Sequence, residues 1–301
     1  MRIHRFLITF FTVSVVFIVS CFASREAAPT RHKGTPQRIV SLAPSVTETL
    51  FTIGAGDRVV GVTEFCNWPP EVKNLPKVGQ FARFNFERVL WLKPDLVVIA
   101  HNPPSEVIFQ ELDQFGIPPL VIGAWNMEET IRSVRDMGRA VGLEQEAEAV
   151  ASEMERKLAM VKNAVKDAPK VKAVIVYGRE PLILGGPGTF ADDILSLAGG
   201  VNIAADATIK YPRYSIERLV LEGPDVIIEA GCIDEFGDGS ASHISDFWNS
   251  WPSIPAVKNG RIVLISSDLL SRPGPRVTDG LIAVTRALHP DIELPVEKGT
   301  P

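Results

Sequence analysis

The chain has 301 residues, is 46% hydrophobic and 22% charged, and carries a formal net charge of −5. Such a composition excludes a disordered chain, a coiled coil and a polytopic membrane protein. Lys and Arg are not clustered to meet phosphates, which argues against a nucleic-acid partner.

The N-terminus reads as an address. Residues 1–5 hold two arginines, and an apolar or small-residue stretch fills 6–20. It is too short to span a bilayer comfortably but suits the apolar region of a signal peptide. The stretch ends Ile18-Val19-Ser20-Cys21, which resembles a bacterial lipobox with Cys21 as the lipidated first residue. A plain secretory signal is the alternative. Residues 21–37 have no apolar period and read as a flexible tether. Beyond Cys21 only Cys66 and Cys232 remain, too few for a disulfide framework, so both are read as partly buried free thiols.

From residue 38 an α/β rhythm begins. Arg38–Leu42 is a short strand. Ser45-Val46-Thr47-Glu48 fits a capping box opening a helix that Gly54 closes. Arg58–Thr63 is a strand, and Asn85 caps a short helix ending near Leu92. Asp95–Ala100 is an apolar strand of the buried parallel kind. Glu106–Phe115 reads as a helix and Pro119–Ile122 as a strand. Asn126-Met127-Glu128-Glu129 opens a helix that runs to Val141.

The rhythm then breaks. Leu143–Asp167 lacks Gly and Pro, and Leu143, Ala147, Val150, Met154, Leu158, Val161 and Val165 form one apolar stripe. That predicts a single helix of roughly 38 Å. Afterwards strands return at Val171–Tyr177, Asp225–Ala230 and Arg261–Ile265. Helices are predicted at Phe190–Ala198, Ser215–Leu221 and Val277–Leu288, with a turn at Gly185-Gly186-Pro187-Gly188. Alternating strands and helices predict an α/β fold of two Rossmann-like lobes with mostly parallel sheets. The expected organisation is an N-terminal lobe over 38–142, a linking helix over 143–168 and a C-terminal lobe over 169–301, with a ligand cleft between the lobes.

An internal repeat supports two lobes. Phe84-Asn85-Phe86-Glu87-Arg88-Val89-Leu90 aligns with Tyr214-Ser215-Ile216-Glu217-Arg218-Leu219-Val220 at a constant offset (217 − 87 = 130). At the same offset Pro94-Asp95 and its apolar strand align with Pro224-Asp225.

Nothing in the sequence asks for catalysis. It has no Gly-x-Ser-x-Gly elbow, no Walker loop and no Gly-x-Gly-x-x-Gly after the first strand. His32, His101, His243 and His289 are not at metal-ligand spacing and read as solvated, so neither a resident metal nor a cofactor is expected. A secreted α/β enzyme, the rival reading, would have to draw on Cys66, His101 or Cys232. Binding is better supported, because the loops after the strands are rich in aromatic residues. Phe65, Trp68, Phe81, Phe84 and Trp125 lie in the first lobe, and Tyr177, Tyr211 and Tyr214 in the second. Such a set lines a pocket for a large, flat, partly apolar ligand. Asp268, Arg272 and Arg276 sit on a Pro/Gly-stiffened loop where they can bond polar ligand edges, or simply pair with one another. Glu87 and Glu217 each occupy the first turn of a helix, where the macrodipole favours a carboxylate. A matched acid on each lobe also suits docking onto a two-fold partner that bears arginines.

From about Arg38 to Pro290 the chain resembles a substrate-binding protein of an ABC importer. The class is the one whose lobes are joined by one rigid helix and which binds cobalamin, haem or ferric siderophores. The residues that carry the resemblance are Arg38–Glu48, Trp68-Pro69-Pro70, Asn85–Arg88, Leu92–Val97, Gly199–Asn202, Ser215–Arg218 and Pro275-Arg276. Within the class it is most similar to cobalamin binders. The resemblance implies an exported protein, monomeric and lipid-anchored at the outer face of the cytoplasmic membrane. It implies a corrinoid or related metal chelate as ligand, and an ABC permease dimer that docks Glu87 and Glu217. The family's pocket positions fall on Phe65, Phe81, Tyr211, Asp268 and Arg272. Phe65 and Phe81 replace a tyrosine and a tryptophan of the cobalamin pattern, and its tryptophan at the end of the Asp95–Ala100 strand is missing. Haem binders usually place a tyrosine where this chain has Trp68, which cannot ligate iron. Ferric siderophores and haem remain the alternative ligands, and a siderophore would draw chiefly on Arg272 and Arg276.

Overall fold

The computed structural model describes residues 34–80, 83–100, 111–117, 119–231 and 240–294. The signal stretch, Cys21, Phe81, His101, Cys232 and the first half of the Glu106–Phe115 helix lie outside them.

The first sheet is built from β1 (Ile39–Ser41), β2 (Val59–Val62), β5 (Leu96–Ala100) and β6 (Pro119–Ile122), in the order β2-β1-β5-β6 and all parallel. A short antiparallel pair, β3 (Gly79–Gln80) with β4 (Arg83–Phe84), stands beside it. In the second sheet β7 (Val171–Arg179), β9 (Gly200–Asn202), β10 (Val226–Gly231) and β11 (Ile262–Ser266) run parallel in the order β9-β7-β10-β11. Here β8 (Leu182–Leu184) adds antiparallel to the far end of β7. The two orders superpose as a repeat, with β1 matching β7, β5 matching β10 and β6 matching β11.

The repeat extends to its polar fastenings. Asp95 accepts the backbone N–H of Gln37 and Arg38 at 2.8 Å each, fixing the start of β1. Asp225 accepts the N–H of Lys172 at 3.1 Å and fixes the start of β7. Asn85 and Ser215 cap the helices Phe86–Trp91 and Ile216–Glu222 through the N–H of Arg88 and Arg218. Both helices are followed by a left-handed residue at the same offset, Lys93 (φ 47°) and Gly223 (φ 57°).

Two helices connect the sheets in sequence, Met127–Val141 and Glu144–Ala164. The second has 21 residues, roughly 32 Å at the usual rise. It is shorter at both ends than the stripe predicts. Gly142 takes a left-handed conformation (φ 68°), so Leu143 becomes the N-cap residue and the helix starts at Glu144. At the other end the chain leaves the helix after Ala164, ahead of Pro169, which lacks an N–H and whose ring would clash with the Val165 carbonyl of a continued helix. The stripe itself holds: Ala147, Ala151, Met154, Leu158 and Val161 are buried. With Ile131, Ile175, Ile194 and Leu281 they belong to one continuous apolar core that spans both halves. Separate clusters cover the outer faces, around Val97 and Leu112 on the first sheet and around Trp248 and Ile227 on the second.

Several local expectations fail for physical reasons. Ser45 does not cap its helix. Pro44 takes the first helical position, where its missing N–H costs nothing, and Ala43 is the cap residue. Glu48 is thereby freed from capping. The Asn126 cap forms, but Glu129 reaches the N–H of Trp125 rather than that of Asn126. His289 is buried rather than solvated and faces the Ala198 carbonyl at 3.1 Å. Helices Ser240–Asn249 and Pro255–Lys258 and strands β8 and β9 are additional elements with no clear periodic signal in the sequence.

Candidate functional site

Parallel sheets gather loops at the carboxyl ends of their strands, and here those ends of the two sheets face each other. After β2 the chain forms the loop that carries Phe65, Asn67 and Trp68. Its base is tied down from within: Cys66 is a buried free thiol within 3.1 Å of the hydroxyls of Thr47 and Thr63. Lys77 staples the loop by donating to the carbonyls of Cys66 and Val72 at 3.2 and 3.1 Å. Trp125 follows β6.

In the second half, Gly186 donates to the Lys210 carbonyl at 2.8 Å and Leu184 to that of Pro212 at 3.2 Å. These bonds press the loop bearing Lys210 and Tyr211 against the glycine-rich turn. Beyond β11, Ser266 caps a one-turn helix, Ser267–Ser271, which presents Asp268 and leads into Arg272.

These loops meet. Lys210 places its ammonium 3.5 Å from the centre of the Trp125 ring, across the space between the sheets. The adjacent Tyr211 is half exposed and packs edge-on against Tyr177 at 5.6 Å. Burial pushes the Tyr177 phenol up to about 12, so it is a neutral hydroxyl at physiological pH, and Ser271 donates to it at 3.4 Å. Arg272 comes next in the chain and is engaged on several sides. It donates to Glu48 Oε1 at 2.8 Å, to Asn67 Oδ1 at 2.7 Å and to the Phe65 carbonyl at 3.4 Å, and pairs with Asp268 at 2.6 Å. Arg276 lies 3.3 Å from the same Glu48 oxygen and stacks over the Trp68 ring at 4.9 Å. Phe65 and Trp125 expose about half of their surface.

Of the described candidates, Phe65, Trp68, Trp125, Tyr177, Tyr211, Asp268, Arg272 and Arg276 join one connected set, whereas Phe84 and Tyr214 do not: both pack into the outer apolar clusters, and the buried Tyr214 donates its hydroxyl to the Ile203 carbonyl. Phe81 lies outside the described residues. Sequence reasoning missed Glu48, Asn67, Lys210 and Ser271. Glu48 is 1% exposed and its Oε2 is buried without a hydrogen-bond partner among the described residues. Desolvation raises its carboxyl above the ordinary value against the pull of Arg272 and Arg276.

Glu87 and Glu217 stand away from this set, exposed in the first turns of their short helices. The N–H of its own residue and the Ser215 hydroxyl hold Glu217 below the usual carboxylate range.

A family model described as periplasmic binding protein matches residues 39–269. The chain belongs to this family. It is therefore an extracytoplasmic substrate-binding protein of an ABC importer, not an enzyme. Cys66, one of the residues the enzyme reading would draw on, is buried. Among relatives, a vitamin B12-binding protein of Pectobacterium atrosepticum is 29% identical over 87% of this chain and 92% of its own length. An ABC transporter substrate-binding lipoprotein of Bacillus subtilis is 33% identical, over 86% of this chain and 82% of the relative. Among solved structures, the periplasmic vitamin B12 binding protein of Vibrio cholerae superposes with a TM-score of 0.74 at 28% identity, covering 84% of this chain and 96% of that one. A periplasmic haem-binding protein of Roseiflexus gives 0.73 at 28% identity, covering 85% and 99%.

Proposed function

We propose that this binding protein captures a corrinoid, cobalamin or cobinamide, between the loops at the facing sheet ends and delivers it to an ABC permease dimer. The observation that carries this reading is the state of the two arginines. Arg272 and Arg276 share Glu48, and Arg272 also holds Asp268. Their charge is already compensated, so an anionic siderophore gains little from them. What the site offers is aromatic surface with a rim of hydroxyl and amide groups, which suits a large, flat, weakly charged ligand. The vitamin B12-binding relatives support the same ligand class.

On this reading residues 38–142 and 169–301 form the two lobes, 143–168 links them, and a lipid on Cys21 holds the monomer at the membrane. Glu87 and Glu217 dock the permease, one per lobe. Calorimetric titration of the chain from residue 22 with cyanocobalamin and cobinamide tests the ligand. The expected result is one-to-one submicromolar binding, better than about −8 kcal/mol. Tight binding of a ferric siderophore with none of a corrinoid replaces the ligand. Haem is the second reading, favoured by Tyr211, a half-exposed phenol able to ligate ferric iron. Hemin titration followed by its absorption bands separates the two. Reversing both glutamates, Glu87→Lys with Glu217→Lys, should spare ligand affinity and abolish uptake.

A further inference from the structure

Two large apolar side chains stand further into solvent than the other large hydrophobic residues described. Trp91 is 78% exposed and Leu221 85%. They occupy the same position of the internal repeat (221 − 91 = 130). Each lies four residues after the glutamate of its helix, and residues four apart share a helix face one turn apart. Folding does not call for either. Val89 and Leu92 are buried from the first helix, and Leu219 from the second. The helices end just beyond, at Lys93 and Gly223, so both side chains project from a helix tip.

We propose that Trp91 and Leu221, with Glu87 and Glu217, form a paired docking surface for a two-fold-symmetric protein partner. Each glutamate meets a basic group of the partner, and the apolar side chain one turn on enters an apolar hollow beside it. The inference rests on the permease-docking reading and adds to it the apolar half of the contact. Charge argues for a protein rather than a lipid surface. Helices that lie on anionic membranes surround their apolar face with Lys and Arg, whereas here an acid accompanies each apolar tip. The Arg218 charge is held by Asp206 at 2.6 Å and Glu222 at 3.8 Å, and Arg88 donates to the Lys77 carbonyl. The two tips differ in size, so the indole carries more of the contact than the isobutyl group.

The test measures association of the mature protein with its cognate permease complex in phosphatidylcholine nanodiscs. The variants are Trp91→Ala, Leu221→Ala, the double variant, and Glu87→Gln with Glu217→Gln. Interface aromatic anchors lose about tenfold or more on truncation, and that is the loss expected for Trp91→Ala, with a smaller one for Leu221→Ala. Ligand affinity and melting temperature should stay at wild-type values, and Trp91 should become protected from acrylamide quenching in the complex. Wild-type association by both apolar variants, with loss in the glutamate variant, overturns this inference and leaves the docking reading standing. Wild-type association by all variants overturns the docking reading itself. Trp91-dependent binding to empty vesicles of phosphatidylcholine with phosphatidylglycerol makes lipid the occupant and also overturns the inference.

Discussion

Glu48 and Arg272 are 224 residues apart in the chain and 2.8 Å apart in the fold. One belongs to the first helix of the N-terminal half, the other to the loop after the last strand of the C-terminal half. Their contact bridges the two halves, and it is joined by Asn67, which accepts from Arg272, and by Arg276 at the same Glu48 oxygen. Arg272, the sequence-level candidate for a ligand contact, is here also the fastening between halves.

Removing Arg272 should therefore unsettle the fold more than a surface substitution does. Arg272→Ala leaves the Glu48 carboxylate buried with Arg276 as its remaining cation. Breaking a buried pair from one side costs about 3 kcal/mol or more. Urea unfolding should show that loss, and a double-mutant cycle with Glu48→Gln should return a coupling well above experimental error. A loss under about 0.5 kcal/mol, the size of an ordinary surface change, would show that the contact does not fasten the halves.

The raised carboxyl of Glu48 sets the sign of a pH effect. In the folded chain Glu48 holds its proton more tightly than in the unfolded chain, whose carboxyl titrates near 4.5. Its stabilising contribution is complete below that value and is lost as pH rises through the higher folded value. Asp193 and Glu229 are raised by burial too and act in the same direction. Subtracting the melting curves of Glu48→Gln from those of the wild type isolates this one group. The difference should fall with rising pH across the mildly acidic range, and a difference that rises there refutes the assignment. The penalty of Arg272→Ala should shrink on acidification, because Glu48 can then take up a proton.

Local chemistry made much of the architecture legible. Asn85, Asn126 and Ser215 announce helix starts through side chains that reach three residues ahead, and the stripe through Ala147, Met154 and Leu158 marks the long helix. Phe65, Trp68 and Trp125 were legible because they follow strand ends, where parallel sheets gather loops. Glu48 was not. Its local pattern imitates a capping box, and the arginines that claim it lie more than 200 residues away. Strands β8 and β9 are three residues each, too short to show alternation. Lys210 meets Trp125 only because Gly186 admits its loop, a fact of packing that no period records.

That last dependence can be tested directly. A methyl group added at Gly186 would lie 2.8 Å from the Ile209 carbonyl oxygen, 2.9 Å from Pro212 and 3.0 Å from the Lys210 carbonyl oxygen. Two of these neighbours are backbone atoms, so the loop itself must move, taking Lys210 and Tyr211 with it. Gly188 gives the matching control. It has open space around it but a left-handed φ of 67°, so Gly188→Ala adds backbone strain without a collision. Both substitutions should lower stability by roughly 1–3 kcal/mol, one by overpacking and the other by strain. On the proposed corrinoid reading, only Gly186→Ala should weaken binding, as Tyr211→Ala should, and only it should alter the fluorescence of Trp125 as Lys210 withdraws. Equal effects of the two glycine variants on binding would mean that the turn acts through general stability and does not position Tyr211.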